Sequence, residues 1–328
     1  MLLTKTPFRI SFFGGGTDYP SWFKENGGKV LSTTFDKYCY ISLRELPEFF
    51  DHKFRIVYSK IENISNLDEI QHPSVREVLK YFKIRQGLEI HHDSDLPARS
   101  GLGSSSSFSV GLINALSAYN NKSILPFDLA DLAIHIEQNL IKECVGSQDQ
   151  IAAAYGGFNE IEFNQDSTFS VKPIATSNTR LDELEDHLML FFTGVQRFSS
   201  KVSENQVANM GNCTSQMNVI FDMVDEGVSI LKNTNTPINE FGLLLNEAWN
   251  VKRTLSNEIS NLKIDELYSS TISCGASGGK ILGAGGGGFM LFFVKPENQQ
   301  KVKEKLKNLV HVPFKFENLG SSIMFNGN

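Results

Sequence analysis

The 328-residue chain has few cysteines and no excess of positive charge, and both shortages narrow what it can do. Its four cysteines lie far apart without a Cys-x-x-Cys pair, which argues against a zinc site and against a disulfide framework. The formal net charge of −6 argues against non-specific nucleic-acid binding, because such binding needs clustered Lys and Arg. We therefore expect reduced thiols, a cytoplasmic protein and no nucleic-acid partner.

Long apolar runs are also missing from the chain. No segment approaches the roughly 18 apolar residues of a membrane span, and the N-terminus shows no small-residue cleavage site of a signal peptide. We therefore expect no membrane partner. Hydrophobic residues make up 41% of the chain and charged residues 21%, as in ordinary globular proteins, so the composition does not indicate disorder.

The order of strand and helix patterns predicts an α+β fold with two lobes. In the first half, strand-like runs alternate with helical patterns, and in the second half a helical stretch extends to about residue 275. We predict an N-terminal lobe of mixed sheet and helices over 1–180, a C-terminal α+β lobe over 181–328, and a polar joint near 175–186. The strand-like runs are FRISFF, YCYISLR, FRIVYS, LEIHHD, FNEIEF, TFSVKPI, HLMLFFTG and FMLFFV, and the helical patterns lie near 74–86, 104–119, 127–143 and 297–308. A last strand pair, HVPFKF with SSIMF, is predicted to close the chain.

The stretch PARSGLGSSSS, residues 97–107, places two glycines and four serines ahead of an apolar helix. Gly101 and Gly103 allow the backbone to approach a ligand closely, and the N–H groups of the serines lie at the positive end of the helix dipole. This arrangement is suited to a phosphate. The alternative is a serine-capped helix after a tight turn, but a cap needs one serine and not four. Neither a Walker A lysine nor a third glycine of a dinucleotide fingerprint follows.

A second glycine-rich stretch, GAGGGG at residues 283–288, matches G-x-G-x-x-G literally. It precedes a strand, whereas the dinucleotide fingerprint follows a strand and opens a helix, so the match carries no weight for a nicotinamide-dependent oxidoreductase. The run of glycines still implies a close approach of the backbone to a ligand or to the facing lobe.

Three carboxylates are further candidates for function. Asp18 follows three glycines at a strand end in FRISFFGGGTDYP, where it would accept hydrogen bonds from hydroxyl groups or close an Asx turn. Glu137 lies at the edge of the apolar face of the 127–143 helix, and a half-buried acid usually has a partner. Asp149 lies twelve residues later, ahead of an apolar run. Beside an anion loop, Glu137 and Asp149 fit one metal-binding acid and one substrate-facing acid.

The segments PARSGLGSSSS, GSQDQ and GGKILGAGGGGF, in this order, resemble the three signatures of the GHMP small-molecule kinases. Within that family, FRISFFGGGTDYP and ARSGLGSSSSF are most similar to the heptose 7-phosphate kinases. The resemblance covers residues 5–295 and implies a two-lobed kinase fold with the active site between the lobes. It also implies ATP as co-substrate and Mg²⁺.

The resemblance implies a role for each matched position. Asp149 would meet the attacking hydroxyl, and Arg9 would lower the pKa of that acid or stabilise the transferring phosphoryl. Mg²⁺ would be held by Ser105 and Glu137. Substrate binding would involve Gly15, Gly16, Thr17, Asp18, Arg197, Gly285 and Gly286. The ATP phosphates would be held by Arg99, Ser100, Gly101, Leu102, Gly103, Ser104, Ser105, Ser106 and Ser107.

One departure from the family bears on specificity. Galactokinases have Gly-Glu-His-Thr-Asp-Tyr where this chain has Gly-Gly-Gly-Thr-Asp-Tyr, so Gly15 and Gly16 free volume and remove a negative charge. A larger or more anionic sugar is therefore favoured, and short residues occur there in fucokinase-like enzymes too. We expect the substrate phosphate at Arg197 and Lys201, with Lys252 and Arg253 as alternatives.

The resemblance thus implies ATP-dependent phosphorylation of the anomeric C1 hydroxyl of D-glycero-D-manno-heptose 7-phosphate, giving the 1,7-bisphosphate for a nucleotide-activated heptose of surface polysaccharide. The alternatives are another sugar-1-kinase, such as a fucokinase, and a non-catalytic sensor of ATP and sugar on the same fold. The expected partners are the sugar phosphate and ATP, and a homodimer is left open.

Overall fold

The computed structural model of the protein describes residues 1–98, 100–194 and 199–327, and for 199–201 it describes the backbone alone. None of the helices in these ranges is long and apolar enough to cross a membrane. The strands are β1 (Leu2–Phe13), β2 (Gly28–Glu45), β3 (Phe54–Val57), β4 (Ile61–Ile64), β5 (Leu88–Ser94), β6 (Phe158–Phe163), β7 (Phe169–Pro173), β8 (Leu188–Phe192), β9 (Ala276–Ile281), β10 (Phe289–Val294), β11 (Val310–Val312), β12 (Phe316–Glu317) and β13 (Ser322–Asn326).

The helices alternate with these strands in the first half and cluster between β8 and β9 in the second. They are α1 (Pro20–Asn26), α2 (Pro73–Tyr81), α3 (Ser104–Tyr119), α4 (Pro126–His135), α5 (Gln148–Tyr155), α6 (Asn178–Asp186), α7 (Ser199–Asn209), α8 (Thr214–Lys232), α9 (Asn239–Arg253), α10 (Leu262–Ile272) and α11 (Pro296–Lys305). A π-helical turn over Ile136–Leu140 extends α4, and short 3₁₀ turns occur at Leu67–Glu69 and Met210–Cys213.

The larger sheet forms the core of the first lobe. Its main path runs β13-β1-β2-β5-β3-β4, with β6 and β12 also paired to β2 and β7 paired to β6. The β3–β5 pair is parallel and the other pairs are antiparallel. Helix α3 packs closely on this sheet, because Gly111 brings its backbone so near β1 that an added Cβ would lie 2.8 Å from the Thr6 hydroxyl.

The smaller sheet belongs to the second lobe and has the order β11-β8-β10-β9, antiparallel throughout. Every residue of β10 is buried, as expected for the continuous apolar run FMLFFV in a central strand. The two lobes share core contacts at the end of β1, where the rings of Phe12 and Phe13 pack edge-on against Phe241 of α9 at 5.2 and 5.0 Å. These contacts fix where the chain leaves β1.

The α+β class with two lobes is confirmed, and so is the helix predicted over 104–119, which is α3. The polar joint near 175–186 stays a prediction, but most of that stretch is α6, a helix that the sequence did not predict. The Ser177 hydroxyl caps α6 by accepting the Arg180 N–H, and the buried Arg180 guanidinium donates to the carbonyl oxygens of Ile230 and Thr236. Because a charged side chain faces inward, the spacing of apolar residues that would indicate this helix is not visible in the sequence.

The predicted closing strand pair was also wrong. β11 joins the smaller sheet beside β8, whereas β12 and β13 pair with β2 and β1 of the larger sheet. The last residues therefore complete the sheet that the first residues begin, and the division of the chain into 1–180 and 181–328 stays a prediction.

Candidate active site

The centre of the site is an ion pair between β1 and α5. Arg9 Nε donates to Asp149 Oδ1 at 2.7 Å, and its Nη2 donates to Oδ2 at 2.9 Å. The side chain of Arg9 is 5% exposed and that of Asp149 is 25% exposed. The pair thus brings together two residues that are 140 positions apart, and it leaves one face of the Asp149 carboxylate open to solvent or substrate.

Arg9 also fixes the glycine–serine loop, residues 100–107. Its Nη1 donates to the carbonyl oxygen of Gly101 at 2.7 Å, and its own N–H donates to the carbonyl oxygen of Leu102 at 3.2 Å. Gly103 has a φ of +76° and lies directly on the ion pair, because an added Cβ would be 3.3 Å from both the Arg9 and the Asp149 side chains. The loop and the carboxylate are therefore held in one rigid arrangement.

The four serines begin α3 and point in different directions. The Ser107 hydroxyl donates to the carbonyl oxygen of Pro7 at 2.9 Å, and the Ser106 hydroxyl donates to Glu137 Oε2 at 3.0 Å. Ser105 is exposed and Ser104 is half-buried. The first-turn N–H groups of an α-helix have no acceptor inside the helix, so this end of α3 offers donors to an anion.

The C-terminal glycine loop, residues 283–288, supports the glycine–serine loop from behind. An added Cβ on Gly283 would lie 2.5 Å from Gly101 Cα, and one on Gly288 would lie 2.3 Å from the carbonyl oxygen of Ser100. These backbones touch at distances that only glycine permits. The run of glycines therefore serves an approach of the two lobes to each other, one of the two readings that the sequence left open.

The N-terminal glycine loop, residues 14–18, is held by Asp18. Its Oδ1 accepts the Gly16 N–H at 2.9 Å, and its Oδ2 accepts the Gln148 N–H at 3.3 Å. Thr17 supports the same turn, with its hydroxyl 2.8 Å from the carbonyl oxygens of Gly14 and Lys29. Asp18 is 1% exposed, and burial raises the pKa of its carboxyl group. In this arrangement Asp18 ties the loop to the start of α5, one residue before Asp149.

Glu137 lies in the π-helical turn and is fully buried, deeper than the edge position that the sequence predicted. Its Oε2 accepts hydrogen bonds from Ser106 and from Gln150 Nε2, the latter at 2.5 Å. Its Oε1 is buried and has no hydrogen-bond partner among the described residues. Burial raises the pKa of Glu137 to about 7.

Comparisons with known proteins were made for the whole chain. Two family models match, the GHMP kinases N terminal domain over residues 72–157 and the GHMP kinases C terminal domain over residues 231–311. D-glycero-alpha-D-manno-heptose 7-phosphate kinase of Campylobacter jejuni is 31% identical over 322 residues, covering 93% of this chain and 92% of that protein. The chain is a GHMP kinase.

More distant relatives of this GHMP kinase are named for different substrates. The bifunctional fucokinase/GDP-fucose pyrophosphorylase of Arabidopsis thaliana is 27% identical over 92% of this chain, which matches 30% of that protein. The crystal structure of a D-glycero-D-manno-heptose 1-phosphate kinase from Bacteroides thetaiotaomicron superposes over the full length of both chains, with a TM-score of 0.81 and 24% identity. That superposition shows the fold.

The residues around Glu137 fit the Mg²⁺ that such kinases generally use. An orphaned, buried carboxylate oxygen beside a serine hydroxyl is a hard-oxygen donor set, and Mg²⁺ typically takes one or two carboxylates and completes its shell with water and substrate phosphates. Within the described part of the chain no group of three or more His, Cys, Asp or Glu gathers as an alternative metal site. It is Ser106, not Ser105, that contacts Glu137, because neighbouring residues on a helix point about 100° apart.

The remaining predicted residues fall in three groups. Arg99, Arg197 and the side chain of Lys201 lie outside the described residues. Gly285 and Gly286 pack against residues 259–261, with the Gly286 N–H donating to the carbonyl oxygen of Ile259 at 2.9 Å. Arg253 donates to Asp265 at 3.1 Å and is thereby engaged away from the ion pair. Substrate contacts by Gly285, Gly286 and Arg197 stay predictions.

Three residues of the site escaped the sequence analysis. Gln148 and Gln150 flank Asp149, and each has a buried side-chain oxygen without a partner among the described residues. Lys280 of β9 is buried and donates to the carbonyl oxygen of Phe12 at 2.6 Å. The available signal was a lysine three residues ahead of the glycine run, in a strand that carries no other charge.

Proposed function

We propose that this GHMP kinase transfers the γ-phosphoryl group of ATP to the C1 hydroxyl of D-glycero-D-manno-heptose 7-phosphate, giving the 1,7-bisphosphate for nucleotide-activated heptose of surface polysaccharide. The observation that carries the proposal is the Arg9–Asp149 pair seated on Gly103 at the start of α3, in a chain 31% identical over nearly its full length to a heptose 7-phosphate kinase. The proposal extends that relative's substrate to this chain.

The chain's own residues supply positioning and charge. The Arg9 guanidinium binds both oxygens of Asp149, so the carboxylate is held in one orientation and can accept a hydrogen bond from the attacking hydroxyl. The start of α3 directs N–H groups towards the nucleotide phosphates, and the glycines admit those phosphates close to the backbone. Mg²⁺, held by Glu137 with a neighbouring serine, would neutralise charge on the phosphates. Because both oxygens of Asp149 already accept hydrogen bonds from Arg9, we assign Asp149 to aligning the hydroxyl more than to removing its proton before transfer.

The test is ADP release from purified protein with Mg²⁺ and ATP, measured for heptose 7-phosphate, the dephosphorylated heptose, fucose, galactose and mevalonate. Phosphorus NMR then identifies the product. We expect a new anomeric phosphate signal with heptose 7-phosphate alone. Turnover of another substrate without heptose 7-phosphate would contradict the proposal, and ATP binding without any turnover would favour a sensor.

The second candidate is a fucokinase-like activity. It is favoured by the fucokinase relative, which matches 92% of this chain, and by another fucokinase relative from Bacteroides fragilis, 23% identical over 91% of the chain. The fucose arm of the same assay distinguishes the two activities, because fucose lacks the phosphate that heptose 7-phosphate carries before the reaction.

A further inference from the structure

Two buried lysines line one small cavity beneath the N-terminal glycine loop. Lys252 of α9 donates from Nζ to the carbonyl oxygen of Gly283 at 2.5 Å, and Lys280 of β9 donates to that of Phe12 at 2.6 Å. They are 7% and 5% exposed, and neither forms an ion pair with a carboxylate in the described part of the chain. An ammonium group that has left water normally has a carboxylate or another anion beside it.

The acids nearby compensate these charges only in part, because none of them forms an ion pair with either lysine in the described part of the chain. Asp149 has both oxygens bound to Arg9, and Asp18 has its oxygens bound to the N–H groups of Gly16 and Gln148. Burial, followed by the charge of Arg9, lowers the pKa of Lys252 to about 8, although the charges of Asp18 and Asp149 oppose this, and burial lowers the pKa of Lys280. The fold thus concentrates positive charge where it is costly, and a bound anion would remove that cost.

The cavity has room for about one oxygen atom of a larger group. Its volume is about 10 Å³, enough for one water-sized group, and its walls are Phe12, Phe13, Gly14, Gly15, Ile220, Met223, Ala248 and the two lysines. Gly15 lies in ordinary backbone conformation, and an added Cβ would be 3.5 Å from Ser11 Oγ and 3.7 Å from Gln148 Nε2. Ser11 Oγ and Gln148 Oε1 are buried without a partner among the described residues.

We propose that Lys252 and Lys280 form an anion subsite that binds one oxygen of a phosphoryl group, with the rest of that group lying against Gly15. In the proposed reaction two groups could place a phosphoryl oxygen here: the phosphate that the sugar already carries and the phosphoryl group in transfer. The choice between these two sources rests on the proposed function. Lysine ammonium groups are strong donors to phosphate oxygens, and two of them converge here with polar groups of the loop and of α5.

The first experiment uses inorganic phosphate as the probe and does not need turnover. Thermal melting of the wild-type chain, Lys252→Met and Lys280→Met is followed with and without phosphate at constant ionic strength. We expect phosphate to raise the Tm of the wild type by a few degrees and to raise those of the lysine variants by less than half as much. No rise in the wild type, or the same rise in all three chains, would overturn the proposal, because phosphate would then be absent or bound elsewhere.

A second variant pair tests the charge itself. Gly15→Glu places a carboxylate at the cavity, and Gly15→Gln places a neutral side chain of nearly the same shape there. We expect Gly15→Glu to melt at a higher temperature than Gly15→Gln and to lose the response to phosphate, because the introduced carboxylate pairs with the two lysines in place of phosphate. A Gln variant as stable as the Glu variant would contradict the inference that the positive charge of the two lysines lacks full compensation.

Kinetics distinguish the two sources. For Lys280→Met, a roughly ten- to hundredfold rise in the KM for heptose 7-phosphate with kcat unchanged identifies the sugar's own phosphate. A fall in kcat with the KM for heptose 7-phosphate unchanged identifies the phosphoryl in transfer. Unchanged kcat and KM would overturn the subsite. If the wild type does not turn over heptose 7-phosphate, the proposed function fails while the two melting experiments still decide the anion subsite.

Discussion

At the scale of single residues, the Arg9 guanidinium organises the site, because it holds both oxygens of Asp149 and the carbonyl oxygen of Gly101 at once. Removing either partner leaves the other charge without compensation, and because Asp149 is 25% exposed the cost should be below the roughly 3–5 kcal/mol of a fully buried pair. The same residue therefore contributes to folding and to the placement of the reacting carboxylate. Substitutions that keep shape but change charge separate these two contributions best.

We expect Asp149→Asn to lower kcat by roughly 10²- to 10⁴-fold and to leave the KM for ATP within about threefold. The amide keeps the shape of the carboxylate but is a weaker acceptor for the attacking hydroxyl. ADP release gives kcat, and equilibrium titration with ATP shows that the variant is folded and binds nucleotide. Turnover close to wild type would remove Asp149 from its assigned role.

A second residue-scale prediction concerns Gly146, which faces Asp18. An added Cβ would lie 1.9 Å from Asp18 Oδ2, a buried carboxylate oxygen that cannot move without losing its bonds. Gly146→Ala should therefore lower the free energy of unfolding by roughly 1–3 kcal/mol and reduce kcat, because Asp18 positions the start of α5. Chemical denaturation measures the first effect.

The matched control for that variant is Gly211→Ala. An added Cβ there meets nothing within 4 Å and the backbone does not require glycine. Its free energy of unfolding should stay within about 0.5 kcal/mol of the wild type. Equal losses in the two alanine variants would show that the Asp18 contact is not the cause.

At the scale of elements, the sequence was sufficient where one element carries its own pattern. α3 was predicted with its bounds because its apolar positions recur at helical spacing behind the glycines. α6 was missed because the buried Arg180 imitates a surface residue, and the Ser106–Glu137 contact was missed because the order of four identical serines says nothing about which one faces Glu137. Ser105 as a ligand of Mg²⁺, which the resemblance implies, stays a prediction. The approach of two glycine loops and the buried Lys280 depend on pairings between distant segments, which no local pattern encodes.

The contact between α2 and α3 makes stability depend on pH. His72 precedes α2, stacks on Phe108 of α3 at 4.6 Å and meets the ring edge of Tyr58 at 4.9 Å. Burial, with a smaller contribution from nearby His92, lowers the pKa of His72 to about 4, although the charge of Glu62 opposes this. An unfolded histidine titrates near 6.5. Between these values the unfolded chain binds the extra proton, so this contribution to stability falls as pH decreases from about 6.5 to 4.

We expect His72→Phe to reduce that acid sensitivity, because phenylalanine keeps the ring stacking and has no proton to gain. The measured quantity is the loss of Tm between pH 7 and pH 5, which should be smaller in the variant by roughly 2 °C. An identical loss in both chains would show that His72 does not contribute to it.

At the scale of the whole molecule, the larger sheet depends on both ends of the chain. β13 pairs with β1 from Leu2 to Lys5, and the Ser321 hydroxyl lies 2.8 Å from that of Thr6. Neither β1 nor β13 lies within the two matched family ranges, yet β1 carries Arg9. The site therefore rests on a sheet edge that is built from the last residues.

Deletion of residues 321–328 should lower Tm by at least about 5 °C, because it removes the β13 ladder and exposes the edge of β1. The control is Met324→Gln, a change of a side chain that is 55% exposed, which should leave Tm unchanged. If the shortened chain has the same Tm as the wild type, β13 contributes nothing to the stability of the first lobe.

The same pairing bears on the order of events in folding. The hydroxyl groups of Thr6 and Ser321 meet although they lie 315 positions apart, and the Gly327 N–H donates to the carbonyl oxygen of Met1 at 3.0 Å. Contacts between segments so far apart in sequence are among the slowest to form, because the chain entropy of closing the loop opposes them. The outer edge of β1, the strand that carries Arg9, is therefore expected to be covered late in folding.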